Sequence, residues 1–389
     1  MINMRTEGLV VPKVPIGIFR RNVLPLTETF IKAQADALVR YKASYFGLMP
    51  SPGGLVDTSE ATLLSFKRNR WAQLRAFLFD TRGIAPQFFR AVREMNPALV
   101  HAHFAPDAAA ALPICSALRV PLVVTLHGYD VTTHDDELMR SMAGRLFLRR
   151  RRELWSFASM FICVSEFIRQ QALSAGYPKN KLEVRYIGVD RSIYQPCNQS
   201  GEKLVLFVGR LVPKKGCVHL LKAMQQVQQK EPLARLAIIG SGPLGSELER
   251  AGRELGLQCE FLGALQSSSV VEWLKRARVL CMPSIAAPNG DSEGLGMVLL
   301  EAQALGRPVV GFRTGGIPEA VNDGVTGLLA TPGSEDELAA HLLRYLSDEP
   351  FWRQSSASAV AWVKGHFDLA VRTRELEQIY DQLLNKPRQ

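Results

Sequence analysis

Short runs of Val, Ile and Leu alternate with stretches of helical period along nearly the whole chain. No other feature restricts the fold as much. The first half carries VPIGIF (14–19), ALVHAHF (98–104), PLVVTLH (121–127) and MFICVS (160–165), with helical stretches such as TETFIKAQADALVRY and EFIRQQALSAG among them. The second half restarts the pattern with KLVLFVG (203–209), ARLAIIG (234–240), CEFLGAL (259–265), RVLCMPS (278–284) and RPVVGF (307–312). A strand that is apolar on both faces must be covered on both faces, and helices crossing from one parallel strand to the next do this. The expected class is therefore α/β, with two doubly wound, Rossmann-like sheets. From about Asp336 the chain is read as almost wholly helical.

Between the halves, YIGVDRSIYQPCNQSGEK collects Gly, Pro, Asn and Ser without periodicity, so a linker falls near 188–202. With 389 residues against roughly 100–200 per domain, two domains are expected, 1–195 and 196–366. The six cysteines are dispersed and contain no C-x-x-C pair, which reads as reduced, mostly buried thiols. No apolar run reaches the roughly 18 residues of a membrane span. The N-terminus, MINMRTEGLVVPKVPIG, lacks a basic segment followed by an apolar one. The expected location is the cytoplasm.

The net charge of +10 is uneven: residues 1–190 hold 25 Lys/Arg against 16 Asp/Glu, and 191–389 hold 22 against 21. Much of the excess lies in RLFLRRRRELW, where Leu146, Phe147, Leu148, Leu154 and Trp155 interleave with Arg145 and Arg149–Arg152. Such a helix can lie on an anionic membrane, at the inner face of the cell membrane for a cytoplasmic protein; it can equally be a solvated face. Nucleic acid is not an expected partner, because no helix-turn-helix, zinc or aromatic RNA-binding signature accompanies the charge.

In doubly wound folds, ligands sit at the C-terminal ends of strands, and helix N-termini there hold phosphates. After RVLCMPS comes IAAPNGDSEG and then a helix expected to begin near Gly294, where Gly294, Leu295 and Gly296 offer backbone amides to an anion. Glu293 and Glu301 are eight positions apart, about two turns, which would place both carboxylates on one helix face, able to grip a ribose and a hexose on either side of a diphosphate. In isolation such a pair is more often a helix-end and a solvated residue. After KLVLFVG, the loop beginning at Gly209 sets Arg210, Lys214 and Lys215 before a helix, which suits a diphosphate, although it is no Walker A loop. In the first half, PLVVTLH ends in His127. His101 and His103 alternate in HAHF and read as structural, since no third metal ligand stands at a recognisable spacing. The Asp-x-Asp triplet that would hold a metal on a sugar nucleotide is missing; Asp135 and Asp136 are adjacent instead. Neither a metal nor a cofactor is expected. Serine-hydrolase, zinc-hydrolase and P-loop signatures are also missing.

Taken together these segments resemble the family-4 class of retaining glycosyltransferases, in particular its bacterial exopolysaccharide and colanic-acid-type members. The segment GDSEGLGMVLLEAQALGRPVVGFRTGGIPEAV (290–321) is similar to that family's donor signature of two glutamates separated by seven residues. FVGRLVPKKG, IIGSGP, TLHGYD, VSEF and ETFI support the match, which covers nearly the whole chain. The resemblance implies the two-domain GT-B fold, with a nucleotide-sugar donor in the second domain and a saccharide or lipid-linked saccharide acceptor mainly in the first. It also implies a final helix, about 367–389, that crosses back to the first domain. Arg210 and Lys215 would contact the diphosphate, Glu301 the ribose, and Glu293 with the amides of 294–296 the sugar and phosphate. His127 would face the transferred sugar. The first strand-to-helix loop, FRRNVLPLTETF, lacks the glycine pair of many members; Thr27 and Glu28 are its acceptor candidates. The implied activity is retaining hexosyl transfer. A non-hydrolysing sugar-nucleotide epimerase and a non-catalytic partner in polysaccharide assembly are the alternatives.

Overall fold

The computed structural model describes residues 12–197 and 199–385. The first residues of the N-terminal stretch read above (1–11) and the end of the expected final helix (386–389) lie outside the described residues.

The first sheet has seven parallel strands: β1 (Val14–Val23), β2 (Tyr41–Pro50), β3 (Ala61–Leu63), β4 (Val100–His103), β5 (Leu122–Leu126), β6 (Met160–Cys163) and β7 (Leu182–Val184). Their order is β3-β2-β1-β4-β5-β6-β7. The second sheet has six: β8 (Leu204–Val208), β9 (Arg235–Ile239), β10 (Cys259–Phe261), β11 (Val279–Met282), β12 (Val309–Phe312) and β13 (Gly327–Ala330), in the order β10-β9-β8-β11-β12-β13. In each sheet the winding reverses next to the first strand, between β1 and β4 and between β8 and β11. A crevice opens at such reversals because neighbouring connections leave on opposite faces. The core strands β4, β5, β11 and β12 are buried along their whole length, as two-sided burial by helices requires.

Two local expectations are corrected. The stretch read as helical from Thr27 to Tyr41 stops at Asp36, and Tyr41 opens β2, which pairs with β1 from Val14↔Tyr41 to Val23↔Pro50. Pairing along most of two ten-residue strands outweighs the helical propensity of the segment's tail. The basic helix Met142–Phe157 does form, but Leu146, Phe147 and Leu154 face the core, and Trp155 stacks near Tyr177 with ring centres 5.0 Å apart. Its apolar side is thus not available to a membrane. Only Arg145, Arg149 and Arg152 of its arginines are exposed; Arg150 donates to the Ala109 carbonyl and Arg151 pairs with Asp135.

The last helix, Leu369–Leu384, packs on the first domain. Its buried Glu377 accepts the backbone N–H groups of Val39 and Arg40, both at 2.8 Å, and Asp381 accepts the Tyr41 hydroxyl at 2.6 Å. No helix among the described residues is long and apolar enough to cross a membrane.

Candidate active site

The half of the cleft expected to hold the donor is built on the reversal between β8 and β11. The chain leaves β8 through Gly209 and Arg210 and makes a short turn, Pro213–Lys215, before the helix Cys217–Lys230. That turn aims two adjacent lysines at the loop after β11: Lys214 Nζ lies 2.9 Å from Asp291 Oδ1, and Lys215 Nζ donates to Glu293 Oε2 at 2.5 Å. The Lys215 and Glu293 side chains are each only 13% exposed, so the pair is largely screened from bulk water. Burial acts to raise the Glu293 carboxyl, but the charges of Lys215 and Lys214, the Lys215 hydrogen bond and the charge of Arg210 prevail and hold it below the ordinary glutamate range. Arg210 itself is exposed and makes no ion pair among the described residues.

The helix after this loop runs Met297–Ala304 and starts three residues later than expected. Gly296, at φ +89°, is in the left-handed region and cannot belong to a right-handed helix. Glu293 therefore lies in the loop, and the two glutamates do not share a helix face; the two-turn spacing argument fails here. What the segment does supply is a helix N-terminus with Gly294, buried Leu295 and Gly296 leading into it, an end that suits negative charge. Glu301, on the helix, is half-buried. Burial pushes its carboxyl up to about 7, with the Tyr194 hydroxyl acting in the opposite sense.

On the facing domain, His127 follows β5 in a loop organised by Asp130. The buried Asp130 carboxylate accepts the backbone N–H groups of Ala105, His127 and Gly128, each at 3.0 Å. Burial raises it to about 6 even so, against those hydrogen bonds. His127 Nε2 lies 3.0 Å from His103 Nδ1, and Phe104 and Phe30 flank the ring at 4.5 and 5.1 Å. Burial, then the charge of Arg20, then His101, hold His127 well below the usual histidine range, so it is a neutral imidazole at neutral pH. His101 is held between the Tyr380 hydroxyl (2.6 Å) and Thr125 Oγ1 (2.7 Å), whereas His103 is placed to orient His127 and joins it as a candidate site residue.

The acceptor candidates separate. Glu28 is buried and both its carboxylate oxygens are bonded to Arg20, which also binds Asp107 and lies 4.5 Å over the Phe104 ring. Glu28 is thus a structural counter-ion. Thr27 is exposed at the same strand end.

The two domains touch directly at the site. A Cβ on Gly294 would stand 2.0 Å from the His127 carbonyl oxygen, so only glycine lets these backbones meet. Ser165 Oγ donates to the Gly294 carbonyl at 2.6 Å. Glu319 of the second domain accepts the N–H groups of Glu166 and Phe167 at the start of a first-domain helix, at 2.7 and 2.8 Å, and the Tyr186 hydroxyl at 3.0 Å. Asp130 and Glu319 lie inside the motifs TLHGYD and GGIPEAV, so their positions were visible in the sequence although their roles were not. Tyr194 and Arg20 carried no local signal, and His103, in HAHF, reads as structural from the sequence. Among the described residues no three His, Cys, Asp or Glu side chains gather as a metal-holding group.

Residues 192–361 match the model of glycosyl transferases group 1, and residues 27–193 that of glycosyltransferase family 4. An amylovoran biosynthesis glycosyltransferase of Erwinia amylovora is 28% identical over 297 residues, covering 73% of this chain and 70% of that protein. A GDP-mannose-dependent phosphatidylinositol monomannoside mannosyltransferase of Mycolicibacterium smegmatis is 31% identical over 267 residues, 64% of this chain and 68% of its own. Another relative is matched over 39% of its length. The crystal structure of Anabaena HepE with UDP and glucose superposes with a TM-score of 0.74 over 94% of this chain and 99% of that one, at 22% identity, which shows a shared fold.

Proposed function

This chain belongs to the glycosyltransferases of the group 1 and family 4 type, with the GT-B fold, and we propose that it performs retaining transfer of a hexosyl unit from a nucleotide sugar to a saccharide or lipid-linked saccharide in bacterial cell-surface polysaccharide synthesis. The observation that carries this reading is the Lys215–Glu293 pair beside the open Arg210, at a helix N-terminus that touches His127 of the other domain. The UDP of HepE and the amylovoran role of the Erwinia relative support the donor and acceptor classes, with a GDP-sugar as the alternative donor.

Departure of a nucleoside diphosphate leaves charge on its phosphate oxygens and an oxocarbenium-like sugar. Arg210, Lys215 and the amides of 294–296 face that charge, and preorganised donors in a sheltered cleft stabilise it without a metal ion. Glu293 holds the donor sugar and keeps Lys215 in place, Glu301 binds ribose hydroxyls, and neutral His127 offers hydrogen bonding to the transferred sugar. The acceptor hydroxyl attacks on the face the diphosphate leaves, and the departing phosphate takes its proton. Peripheral attachment at the cytoplasmic face of the membrane belongs to the same reading, with the exposed Arg149 and Arg152 contributing attraction to anionic lipid.

A thermal-shift screen of nucleotide sugars identifies the donor, because a ligand that binds only the folded state raises its stability. Turnover of that donor with an acceptor, and the anomeric configuration of the product by NMR, test retention. Lys215→Ala and Arg210→Ala are expected to cut transfer by orders of magnitude with circular dichroism unchanged. Near-normal rates in both sink the assignment, and conversion of the sugar nucleotide without acceptor replaces it by epimerase chemistry.

A further inference from the structure

The segment HAHF ends β4 and leads into the helix Ala105–Leu118. Side chains two apart on a strand share a face, and His101 and His103 stack there, with ring centres 4.4 Å apart and planes 25° from parallel. Both nitrogens of His101 are engaged, by the Tyr380 hydroxyl of the last helix and by Thr125, so His101 backs the His103 ring as a fixed wall. Arg20, already bound to Glu28 and Asp107, donates to the His103 carbonyl at 3.1 Å. Phe104 follows at φ +70°, a conformation that glycine adopts freely and a bulky side chain adopts under strain. Its N–H is tied to the Thr125 carbonyl at 2.8 Å and its carbonyl to the N–H of Ala108 at 3.0 Å. This strained turn holds the phenyl ring 4.5 Å from His127 and 4.5 Å below the Arg20 guanidinium. The fold thus carries an aromatic side chain where glycine would be easier, and it lies against the half-buried His127.

Burial, then His101, His127 and the charge of Arg20, hold His103 well below the usual histidine range, and burial with Arg20 does the same for His127, so both rings are neutral. Among the described residues neither ring is bonded to a carboxylate. Two neutral imidazoles joined between Nδ1 of His103 and Nε2 of His127 have two arrangements of their protons. In one, both rings carry the proton on Nε2 and His127 donates to His103. In the other, both carry it on Nδ1 and His103 donates. A free neutral histidine side chain favours the proton on Nε2, so only the first arrangement gives both rings their preferred form. We propose that His103 is a positioning residue that locks His127 in the Nε2–H tautomer, with Phe104 walling the ring, so that the bare Nδ1 of His127 is a hydrogen-bond acceptor. Resting on the proposed transfer reaction, such a ring accepts from a hydroxyl of the transferred sugar and donates nothing to it. A carboxylate or an ether oxygen at the same place, which can only accept, is disfavoured.

Long-range proton–nitrogen NMR of the full chain, labelled with ¹⁵N-histidine at neutral pH, reads the tautomer without any substrate. The His127 signals are identified by their loss in His127→Gln. Wild type is expected to show His127 as a single tautomer, protonated at Nε2 and bare at Nδ1. His103→Leu, which removes the acceptor at similar volume, should leave His127 as a mixture of tautomers. It should also lower kcat by about tenfold, with donor KM within about twofold and circular dichroism unchanged. In His103→Asn the amide oxygen stands about where Nδ1 stood and can accept from Nε2–H, so this variant should restore the single tautomer and most of kcat. His127 protonated at Nδ1 in wild type overturns the proposal, as does a tautomer unmoved by His103→Leu. Equal loss of kcat in the leucine and asparagine variants also overturns it and leaves His103 a packing role. If the leucine variant fails to fold, the wild-type spectrum and the asparagine variant still decide. The expected spectrum without any sugar transfer counts against the glycosyltransferase reading alone; transfer with the opposite tautomer counts against this proposal alone.

Discussion

The two halves of the cleft handle charge in opposite ways. In the half read as the donor side, Lys214 and Lys215 are paired with Asp291 and Glu293 in largely screened positions, and the exposed Arg210 is left with no counter-ion among the described residues. On the acceptor side, the charges are consumed internally. Arg20 is spent on Glu28 and Asp107, Arg21 on Asp80, and the histidines are held neutral by burial. On the proposed reading, a diphosphate demands net positive charge, which the unpaired Arg210 leaves available, whereas a sugar acceptor demands shape and hydrogen-bonding groups, and the charges on that side are cancelled in pairs.

If that division holds, charged residues of the acceptor half support the fold, and those of the donor half support the rate. The largest effect expected is from Arg20→Ala, which strands Glu28 and Asp107 without their cation; loss of one partner of a buried pair costs roughly 3–5 kcal/mol, read as a shift in the urea unfolding midpoint. An unchanged midpoint breaks the comparison. Arg210→Ala should do the reverse, with stability within about 0.5 kcal/mol for an exposed side chain and turnover down on the order of 10²–10³. Equal destabilisation by the two variants would erase the distinction.

Glu301 gives a pH test. Its folded value of about 7 lies above the ordinary 4.5, so the native state keeps a proton that the unfolded chain releases between these values. The burial cost is absent below about pH 4.5, grows as pH rises, and is fully present above about 7, where it amounts to at most about 3 kcal/mol. Glu301→Gln is therefore expected to be more stable than wild type at pH 8 in the absence of ligand, with the gap closing as the pH falls towards 5, and to bind nucleotide more weakly by calorimetry. A constant gap across pH removes burial as the cause. The smallest effect belongs to Thr27→Ala: unfolding within about 0.5 kcal/mol of wild type, with a few-fold rise in acceptor KM and an unchanged donor KM.

The donor half was legible in the sequence because its chemistry is local. Arg210 and Lys215 lie five positions apart, Glu293 and the glycines lie within four, and each segment announces a strand end followed by a helix. The spacing of Glu293 and Glu301 was visible, but their geometry was not, because the conformation of Gly296 depends on where the chain must turn to let Gly294 reach the other domain. The acceptor half was scarcely legible. His103 looked structural until β4 and β5 set it beside His127, and Glu28 looked like a ligand contact until Arg20, eight residues earlier, was seen to enclose it.

By itself, the sequence determined the two doubly wound sheets, the helical end and the strand tips that carry the candidate site residues, because two-sided burial and strand-to-helix turns are written in short-range patterns. Only the tertiary structure decided which charges are neutralised, which glutamate stands outside the helix and where the basic helix turns its apolar face. Those outcomes depend on burial and on partners far apart in the chain, and residue order alone does not specify which groups lose their water.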